Sequence, residues 1–549
     1  MRVIERPRDP RDMRPRMKSL LLSFLAGIVS ACGFEPIGLW PLTIAAFAAL
    51  LWLVGQAPSL RSALARGYWF GAGQFMLGLT WIATAFTFQA KMPEWLGWLA
   101  VVLLSLYLAV YPAMATGLAW RWGRDKGNPL PTRHPRESGD PASSAQEPKE
   151  QRDSRFRGND DVGRASVGVV FLLLFAAAWI VTEWLRATMF TGFAWNPVGV
   201  ALVPTGAARM ATIIGTYGLS GIVVLLAGML LLTLQRQGRA AILLFAGVAL
   251  LSALAIALSR PPLPASGLPV RIDQPNIGQQ DRWREGFEEE NFRRLAALSG
   301  QPAAGPRLLL WPESAITEPL GDNRPLMAAE IEALRQRVGR LLGPDDLLLT
   351  GGITVGSPDG YKVTTATNSV FAMDASGRVL ARFDKAHLVP YGEYLPMRPL
   401  LSAIGLSRLA PGDLDYIPGP GPRTIDFGPF GKVGFQLCYE IIFSGEVVDR
   451  GNRPAFIYNP SNDAWFGYFG PPQHLAQARL RATPTGISAV IDAEGRVLHS
   501  LPWRTAGVID ARLPPPKPPT LFARAGNILP FLFALLLVLI AIAVRRKAR

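Results

Sequence analysis

The sequence predicts two structural parts: a polytopic α-helical membrane domain of about eight spans and an extracytoplasmic α/β domain. Of the 549 residues, 49% are hydrophobic, and the mean hydropathy of +0.21 is high for a soluble protein. Long apolar runs occupy the first part of the chain. Residues 261–519 instead alternate short β-rich runs with helical stretches such as 327–342 and 476–481, separated by turn signals.

The membrane domain is predicted over residues 19–260, and one further span follows near the end of the chain. A bilayer core of about 30 Å needs roughly 20 apolar residues in a helix. The first apolar run is short, so a tilted or partly interfacial helix is expected there. The predicted spans are residues 19–33, 39–54, 68–88, 96–120, 167–185, 211–234, 240–258 and 528–544.

Basic residues set the predicted orientation of these spans. Residues 1–18 carry seven basic and three acidic residues and are expected in the cytoplasm. Two arginine pairs mark predicted loops on the same side: Arg61 with Arg66, and Arg236 with Arg239. Eight spans return the chain to its starting side, where residues 520–549 end in a basic tail. The α/β domain, residues 261–519, is therefore predicted outside the cytoplasm.

Residues 127–164 interrupt the membrane domain with a stretch rich in Pro, Ser, Arg and Asp. It contains seven basic and seven acidic residues and has no hydrophobic periodicity. Such a composition cannot bury enough apolar surface to fold. We expect this cytoplasmic insertion to be disordered and assign it no function.

The composition excludes several other classes of protein. The only two cysteines, Cys32 and Cys438, exclude a disulfide framework. Four histidines without clustering give no expectation of a metal site, and no cofactor is expected. The formal charge of +15 is not accompanied by a nucleic-acid-binding motif, so we attribute it to orientation in the membrane rather than to nucleic acid.

Three apolar runs of the α/β domain end next to a residue that can take part in catalysis: Glu313, Lys385 and Cys438. Cys438 lies between a predicted strand and a helix predicted to begin near Tyr439, where free amides favour the thiolate. Taken singly, a cysteine is usually a small buried residue, and a Glu or Lys after a strand usually lies on the surface. Together, the three residues indicate an active site.

The motifs around these residues resemble those of the nitrilase (carbon-nitrogen hydrolase) superfamily. More narrowly, the chain resembles the apolipoprotein N-acyltransferase family of bacterial membrane enzymes, over nearly its whole length. The resemblance implies an αββα sandwich for the α/β domain and a periplasmic site on the bacterial inner membrane. The motifs are Trp311-Pro312-Glu313-Ser314, Lys385-Ala386-His387-Leu388-Val389-Pro390-Tyr391-Gly392-Glu393-Tyr394-Leu395-Pro396 and Cys438-Tyr439-Glu440.

Residue chemistry gives the three residues distinct expected roles. Cys438 attacks a carbonyl and becomes a thioester, and Glu313 acts as general base and then as general acid. Lys385 favours the thiolate and stabilises the tetrahedral oxyanion. A carboxylate alone would raise the pKa of the thiol, so the lysine charge is needed to offset it.

The resemblance adds four supporting or substrate-binding positions: Glu393, Tyr439, Glu440 and Trp283. Glu393 matches the family's acidic residue at the rim of the site, and Trp283 matches a functional tryptophan near the start of the domain. Glu440 and Trp283 have ordinary alternatives. Glu440 is also suited to the first turn of a helix, where the dipole favours an acid, and Trp283 to the core.

The resemblance also implies the substrates. The donor is a phospholipid such as phosphatidylethanolamine, and the acceptor is the α-amino group of the diacylglyceryl-modified first cysteine of an apolipoprotein. Two alternatives stay open: a membrane-anchored amidase that uses water, and an inactive lipoprotein-binding homologue. The second arises because the sequence after Ala482 lacks roughly a dozen residues that the family has, which would shorten a helix and remove part of a strand near the site.

Overall fold

The computed structural model describes residues 10–88, 92–124, 167–263, 267–282, 284, 286–302, 305–409, 414–480 and 488–547. The insertion predicted to be disordered, residues 127–164, lies outside the described residues. The first part of the chain is helical. Its helices are α1 (Pro10–Ala31), α2 (Trp40–Gly55), α3 (Leu60–Gly78), α4 (Trp81–Ala85), α5 (Trp95–Leu108), α6 (Val110–Gly123), α7 (Val169–Thr188), α8 (Ala211–Leu234) and α9 (Gly238–Ala257).

Five helical segments of the described chain are long and apolar enough to cross a membrane: Trp95–Gly123, Val169–Thr188, Gly206–Leu234, Gly238–Ala257 and Ile528–Lys547. Shorter apolar helices cover Met17–Ala31 and Trp40–Gly55. Seven of the eight predicted spans therefore coincide with apolar helices. Together they form the membrane domain that the sequence predicts.

The predicted loop at Arg61 and Arg66 was wrong. The helix α3 begins at Leu60 rather than at residue 68, because the Ser59 side chain caps it by accepting from the Ser62 amide at 3.3 Å. Arg61 and Arg66 consequently lie inside a helix and not in a loop. Arg66 is buried, and its guanidinium donates to the carbonyl oxygen of Leu53.

The helices α1 and α3 approach each other closely because glycines lie at their contact. A Cβ added to Gly27 would collide with the carbonyl oxygen of Phe70, and one added to Gly73 would collide with that of Phe24. In a bilayer, where no hydrophobic effect drives helices together, such backbone approach supplies the packing energy.

The α/β domain contains a seven-stranded sheet in the order β12-β1-β2-β4-β5-β6, with β3 beside β4. The strands β1, β2 and β4 are parallel, and β4, β5 and β6 are antiparallel. Their bounds are β1 (Pro269–Gln274), β2 (Leu308–Leu310), β3 (Pro319–Asp322), β4 (Leu347–Gly356), β5 (Thr365–Met373), β6 (Val379–Asp384), β7 (Arg423–Asp426), β8 (Lys432–Phe435), β9 (Phe456–Tyr458), β10 (Ala489–Ile491), β11 (Val497–Ser500) and β12 (Gly507–Arg512).

Alternating residues of the large sheet face two different layers, as the period of a strand requires. Leu309 packs with residues of the helical layer, including Leu295 and Val338, whereas Leu308 and Leu310 belong to the core shared with the second sheet. The second sheet has the order β7-β8-β9. The layers correspond to the predicted sandwich. Its remaining helices are α10 (Gln279–Arg282), α11 (Glu288–Ser299), α12 (Ala328–Gly339), α13 (Arg398–Ala403) and α14 (Gly470–Arg479), followed by α15 (Leu521–Ala525) and α16 (Ile528–Lys547).

The segment after α14 is where a loss of residues is predicted. Residues 481–487 lie outside the described part of the chain. On either side of them, α14 ends at Arg479, and β10 and β11 form a separate two-stranded sheet. Among the described strands, β9 pairs with β8 alone.

A buried ion pair ties β2 to the loop before β4. Asp346 accepts from the Arg307 guanidinium at 2.8 Å and from the amides of Arg307 and Gly343 at 3.1 and 2.9 Å. Removing one partner of a buried pair leaves an uncompensated charge, at a cost of about 3–5 kcal/mol.

We expect Asp346→Ala to lower the melting temperature in detergent micelles by roughly 5–15 °C, measured by tryptophan fluorescence. The adjacent exposed Asp345→Ala is the control, and an equal shift in both would contradict the prediction.

Candidate active site

The structure brings Glu313, Lys385 and Cys438 together. Glu313 follows β2, Lys385 follows β6, and Cys438 comes three residues after β8. All three are buried: their exposed fractions are 7%, 1% and 4%. Glu313 and Cys438 both interact electrostatically with the lysine ammonium. The structure therefore places the three residues in one buried cluster, close after the ends of their strands.

A chain of hydrogen bonds fixes the two charged groups beside the cysteine. The Lys385 ammonium donates to the carboxylate of Glu393, with Nζ at 3.0 Å from Oε1 and 2.9 Å from Oε2. The side-chain amide of Asn368 donates to Glu393 Oε1 and to Glu313 Oε1, each at 2.8 Å. The second oxygen of Glu313 accepts from the amide of Asn462 at 2.8 Å. Each carboxylate is thus held by donors and has a defined orientation.

The ammonium of Lys385 stays charged despite its burial. Desolvation alone lowers the pKa of the lysine, but the charges of Glu393 and Glu313 outweigh it and raise the pKa above the ordinary value. A permanent positive charge at this point can stabilise a negative oxygen that forms next to the cysteine.

The pKa of the Cys438 thiol is raised, which differs from the predicted preference for thiolate. Burial is the largest cause, and the charge of Glu313 adds to it, while Lys385 acts in the opposite direction. The helix predicted to begin near Tyr439 is also not an α-helix. Residues Cys438–Ile442 form a 3₁₀ helix of five residues, which is too short for a strong dipole. The resting group is therefore a thiol, and it needs a base to ionise it.

Glu440 connects the segment that carries Cys438 to the segment that carries Lys385. Its Oε1 accepts from the amides of Ala386 and His387 at 2.8 and 2.9 Å, and its Oε2 accepts from the amide of Leu437 at 2.8 Å. Burial raises the pKa of this carboxyl to about 7, and its hydrogen bonds and Lys385 oppose the rise. Glu440 thereby fixes the loop after Lys385 against the turn that carries Cys438.

Tyr439 is buried beside the aromatic rings of His387 and Phe443, at centroid distances of 5.9 and 5.2 Å. The His387 ring also reaches the carbonyl oxygen of Thr191, in the loop after α7, at 3.2 Å. The turn that carries Cys438 thus packs against the helical part of the chain. Trp283, the fourth supporting position, lies outside the described residues.

Two well-defined residues of the site were not predicted. Asn368 occupies the middle of β5, where the signal was an amide inside an otherwise apolar buried strand. Arg282 is buried next to Glu313 and donates to the carbonyl oxygens of Glu313 and Ser314 at 2.6 and 3.2 Å. A buried arginine gives no distinct signal in a sequence that is rich in arginine.

Comparison with known proteins identifies both parts of the chain. Residues 26–229 match the family described as the apolipoprotein N-acyltransferase N-terminal domain, and residues 274–517 match the carbon-nitrogen hydrolase family. A protein of Bradyrhizobium diazoefficiens named apolipoprotein N-acyltransferase is 32% identical, over 97% of this chain and 96% of its own length. The chain belongs to the apolipoprotein N-acyltransferase family.

Other relatives of the same name show similar likeness. The protein of Rhodopseudomonas palustris is 31% identical over 96% of both chains, and that of Caulobacter vibrioides is 34% identical over 90% of this chain and 88% of its own. Apolipoprotein N-acyltransferases thus share with this chain both the helical part and the domain that carries the cysteine. The resemblance inferred from the three motifs is confirmed.

Glu440 should make the stability of this family member depend on pH. Its folded-state pKa of about 7 exceeds the ordinary 4.5, so the resulting stabilisation is present below pH 4.5 and lost as the pH rises through 7. Between pH 5 and 8, we expect the free energy of unfolding of the native chain to fall by up to about 3 kcal/mol relative to that of Glu440→Gln. The melting temperatures of the two proteins, measured over this pH range, should follow this difference.

Two comparisons make this measurement specific. Asp273, whose pKa burial raises to about 6, titrates in both proteins and cancels in the difference. Glu332→Gln, which alters an exposed carboxylate on α12, should show no such trend. A difference between native and Glu440→Gln proteins that does not change with pH would contradict the assignment.

Proposed function

We propose that this protein transfers an acyl chain from a phospholipid to the α-amino group of a diacylglyceryl-modified cysteine at the start of an apolipoprotein. The observation that carries the proposal is the buried cluster of Glu313, Lys385 and Cys438, in a domain joined to a helical membrane part. The names of the full-length relatives support the same reaction. An acyl donor and an acceptor that are both embedded in lipid explain why such a domain is combined with membrane helices.

The proposed first step forms a thioester on Cys438. Glu313 takes the thiol proton while the sulfur attacks the ester carbonyl of the phospholipid, and Lys385 stabilises the oxyanion of the tetrahedral intermediate. The intermediate collapses by breaking the ester C–O bond. Glu313 then gives its proton to the departing alkoxide, which leaves as a lysophospholipid. The raised pKa of the thiol makes this base necessary.

The proposed second step transfers the acyl group to the acceptor amine. The amine nitrogen attacks the thioester carbonyl and loses a proton to Glu313, and the C–S bond breaks to give the amide. The proton then returns to the sulfur, so that Cys438 is again a thiol and Glu313 a carboxylate. Separate donor and acceptor steps predict ping-pong kinetics.

We also propose that the catalytic domain lies on the periplasmic side of the bacterial inner membrane. Among the described helices, seven crossings come before the domain and one, α16, comes after it, when Trp95–Gly123 is counted as one span and α3 is included. Because eight is an even number, the segments before α1 and after α16 lie on the same side of the membrane. The basic tail after α16 supports a cytoplasmic position for that side. A cleft of about 600 Å³ is lined by Pro312 and Asn462, which adjoin Glu313, and by Phe88 of the helical part.

The thioester is directly testable. We expect the purified protein in phospholipid micelles without acceptor to gain the mass of one acyl chain, and hydroxylamine to remove it. Cys438→Ala should show no adduct, whereas the matched control Cys32→Ala should behave as the native chain. A folded native chain without adduct would contradict the proposed function and favour an inactive homologue. Rapid release of free fatty acid instead of a stable thioester would favour the hydrolase.

Asn368 should be essential for the first step. Asn368→Asp replaces the amide donor between Glu313 and Glu393 with a third carboxylate, so that like charges meet in a buried site. We expect the rate of thioester formation to fall by about 100-fold or more. The control Asn323→Asp makes the same change at an exposed position. Native rates in Asn368→Asp would show that the hydrogen-bond chain has no role in acylation.

A further inference from the structure

The backbone carbonyl of Cys438 is held from the side of the helix α14. The ring of His474 places Nε2 at 3.1 Å from this carbonyl oxygen, and the side-chain amide of Asn459 donates to it at 3.4 Å. A carbonyl oxygen can only accept, so Nε2 of His474 is the donor in this contact. Because a peptide unit is planar and trans, fixing this carbonyl also fixes the amide N–H of Tyr439, which points the opposite way.

The conformation of Cys438 requires such support. Its φ angle is 53°, in the left-handed region that a residue with a Cβ enters only at a cost of about 1–3 kcal/mol. The amide of Cys438 donates to the carbonyl oxygen of Pro460 at 2.9 Å, which fixes the peptide before the cysteine. His474 and Asn459 fix the peptide after it.

The position of His474 is itself closely determined. The side chain is fully buried on α14, and Nδ1 lies 3.0 Å from Oδ1 of Asp463. The ring stacks on Trp195, with 5.6 Å between centroids and 30° between planes. The ring of Phe466 is nearly perpendicular to the His474 ring, with 6.1 Å between centroids.

Trp195 belongs to the helical part of the chain, so this part contributes to the position of His474. Its indole N–H donates to Gln473 on α14 at 2.7 Å. The carbonyl oxygen of Trp195 accepts from Arg186 on α7 at 2.8 Å, and the amide of Asn196 donates to Gln477 at 3.0 Å. A continuous set of contacts thus runs from α7 through Trp195 and His474 to the nucleophile.

We propose that His474 is a positioning residue for acylation: it holds the peptide between Cys438 and Tyr439 so that the Tyr439 amide faces the carbonyl oxygen of the acyl donor. That amide then acts together with Lys385 on the oxyanion. The proposal rests on the acylation of Cys438 in the proposed function. It assigns His474 no contact with substrate and no proton transfer.

Two substitutions separate this role from simple packing. The amide nitrogen of glutamine reaches the position of Nε2, so His474→Gln keeps a donor for the Cys438 carbonyl. The shorter asparagine reaches only the position of Nδ1, so His474→Asn keeps a polar contact with Asp463 and loses that donor. His499→Gln, at an exposed histidine on β11, is the matched control.

Each variant is compared in two reactions of the full chain in micelles. Acylation by a p-nitrophenyl ester, followed as a burst of p-nitrophenolate, passes through an oxyanion and does not need a phospholipid. Alkylation of Cys438 by iodoacetamide forms no oxyanion. We expect His474→Asn to acylate about 10 to 100 times more slowly, while His474→Gln and His499→Gln stay within a few-fold of native. Alkylation rates should be similar in all variants.

The outcomes distinguish the two proposals. Three outcomes would overturn the positioning role. The first is that His474→Asn loses acylation and alkylation to the same extent. The second is that His474→Asn and His474→Gln lose acylation equally, and the third is that neither variant loses acylation. Acylation of the native chain by the p-nitrophenyl ester but not by phospholipid would overturn the proposed donor and leave the His474 comparison valid. A native chain that neither reagent acylates would overturn both.

Discussion

The mutual neutralisation of buried charges around Lys385 is the constraint on which the site depends. An ammonium with only 1% of its surface exposed would lose its proton or destabilise the fold unless carboxylates surrounded it. Glu393 provides the direct partner, and Asn368 links that carboxylate to Glu313. The same bonds that make the charge tolerable also fix the orientation of Glu313, the proposed base, beside the ammonium. The stability of the fold and the proposed reaction therefore require the same geometry.

Sequence reasoning located the site because each of its main residues lies at the end of an apolar run. The strands before Glu313 and Lys385 belong to the large sheet and the strand before Cys438 to the second sheet, so the sequence indicated one site without indicating which strands share a sheet. The apolar helices were equally predictable, since about 20 apolar residues are needed to cross a bilayer. The exact start of α3 was not predictable. The sequence does not distinguish a buried arginine that donates to a carbonyl oxygen, such as Arg66, from an arginine in a loop.

The residues that sequence reasoning missed act through tertiary contacts. Asn368 lies inside a strand, and His474 lies on a helix 36 residues beyond the cysteine whose carbonyl it holds. Neither position has a local pattern that distinguishes it from ordinary core. The thiol pKa was predicted in the wrong direction for a related reason. Local geometry suggested a helix dipole, whereas burial by distant parts of the chain determines the result.

The resting thiol of Cys438 has a consequence for the durability of the enzyme. Oxidation by peroxide and exchange with disulfides both proceed through the thiolate, so a buried thiol with a raised pKa reacts slowly with either. An oxidising compartment such as the one proposed for this domain would inactivate a nucleophile that was permanently ionised. A sulfur that is ionised only when a substrate ester is in place would react with the acyl donor in preference to such oxidants.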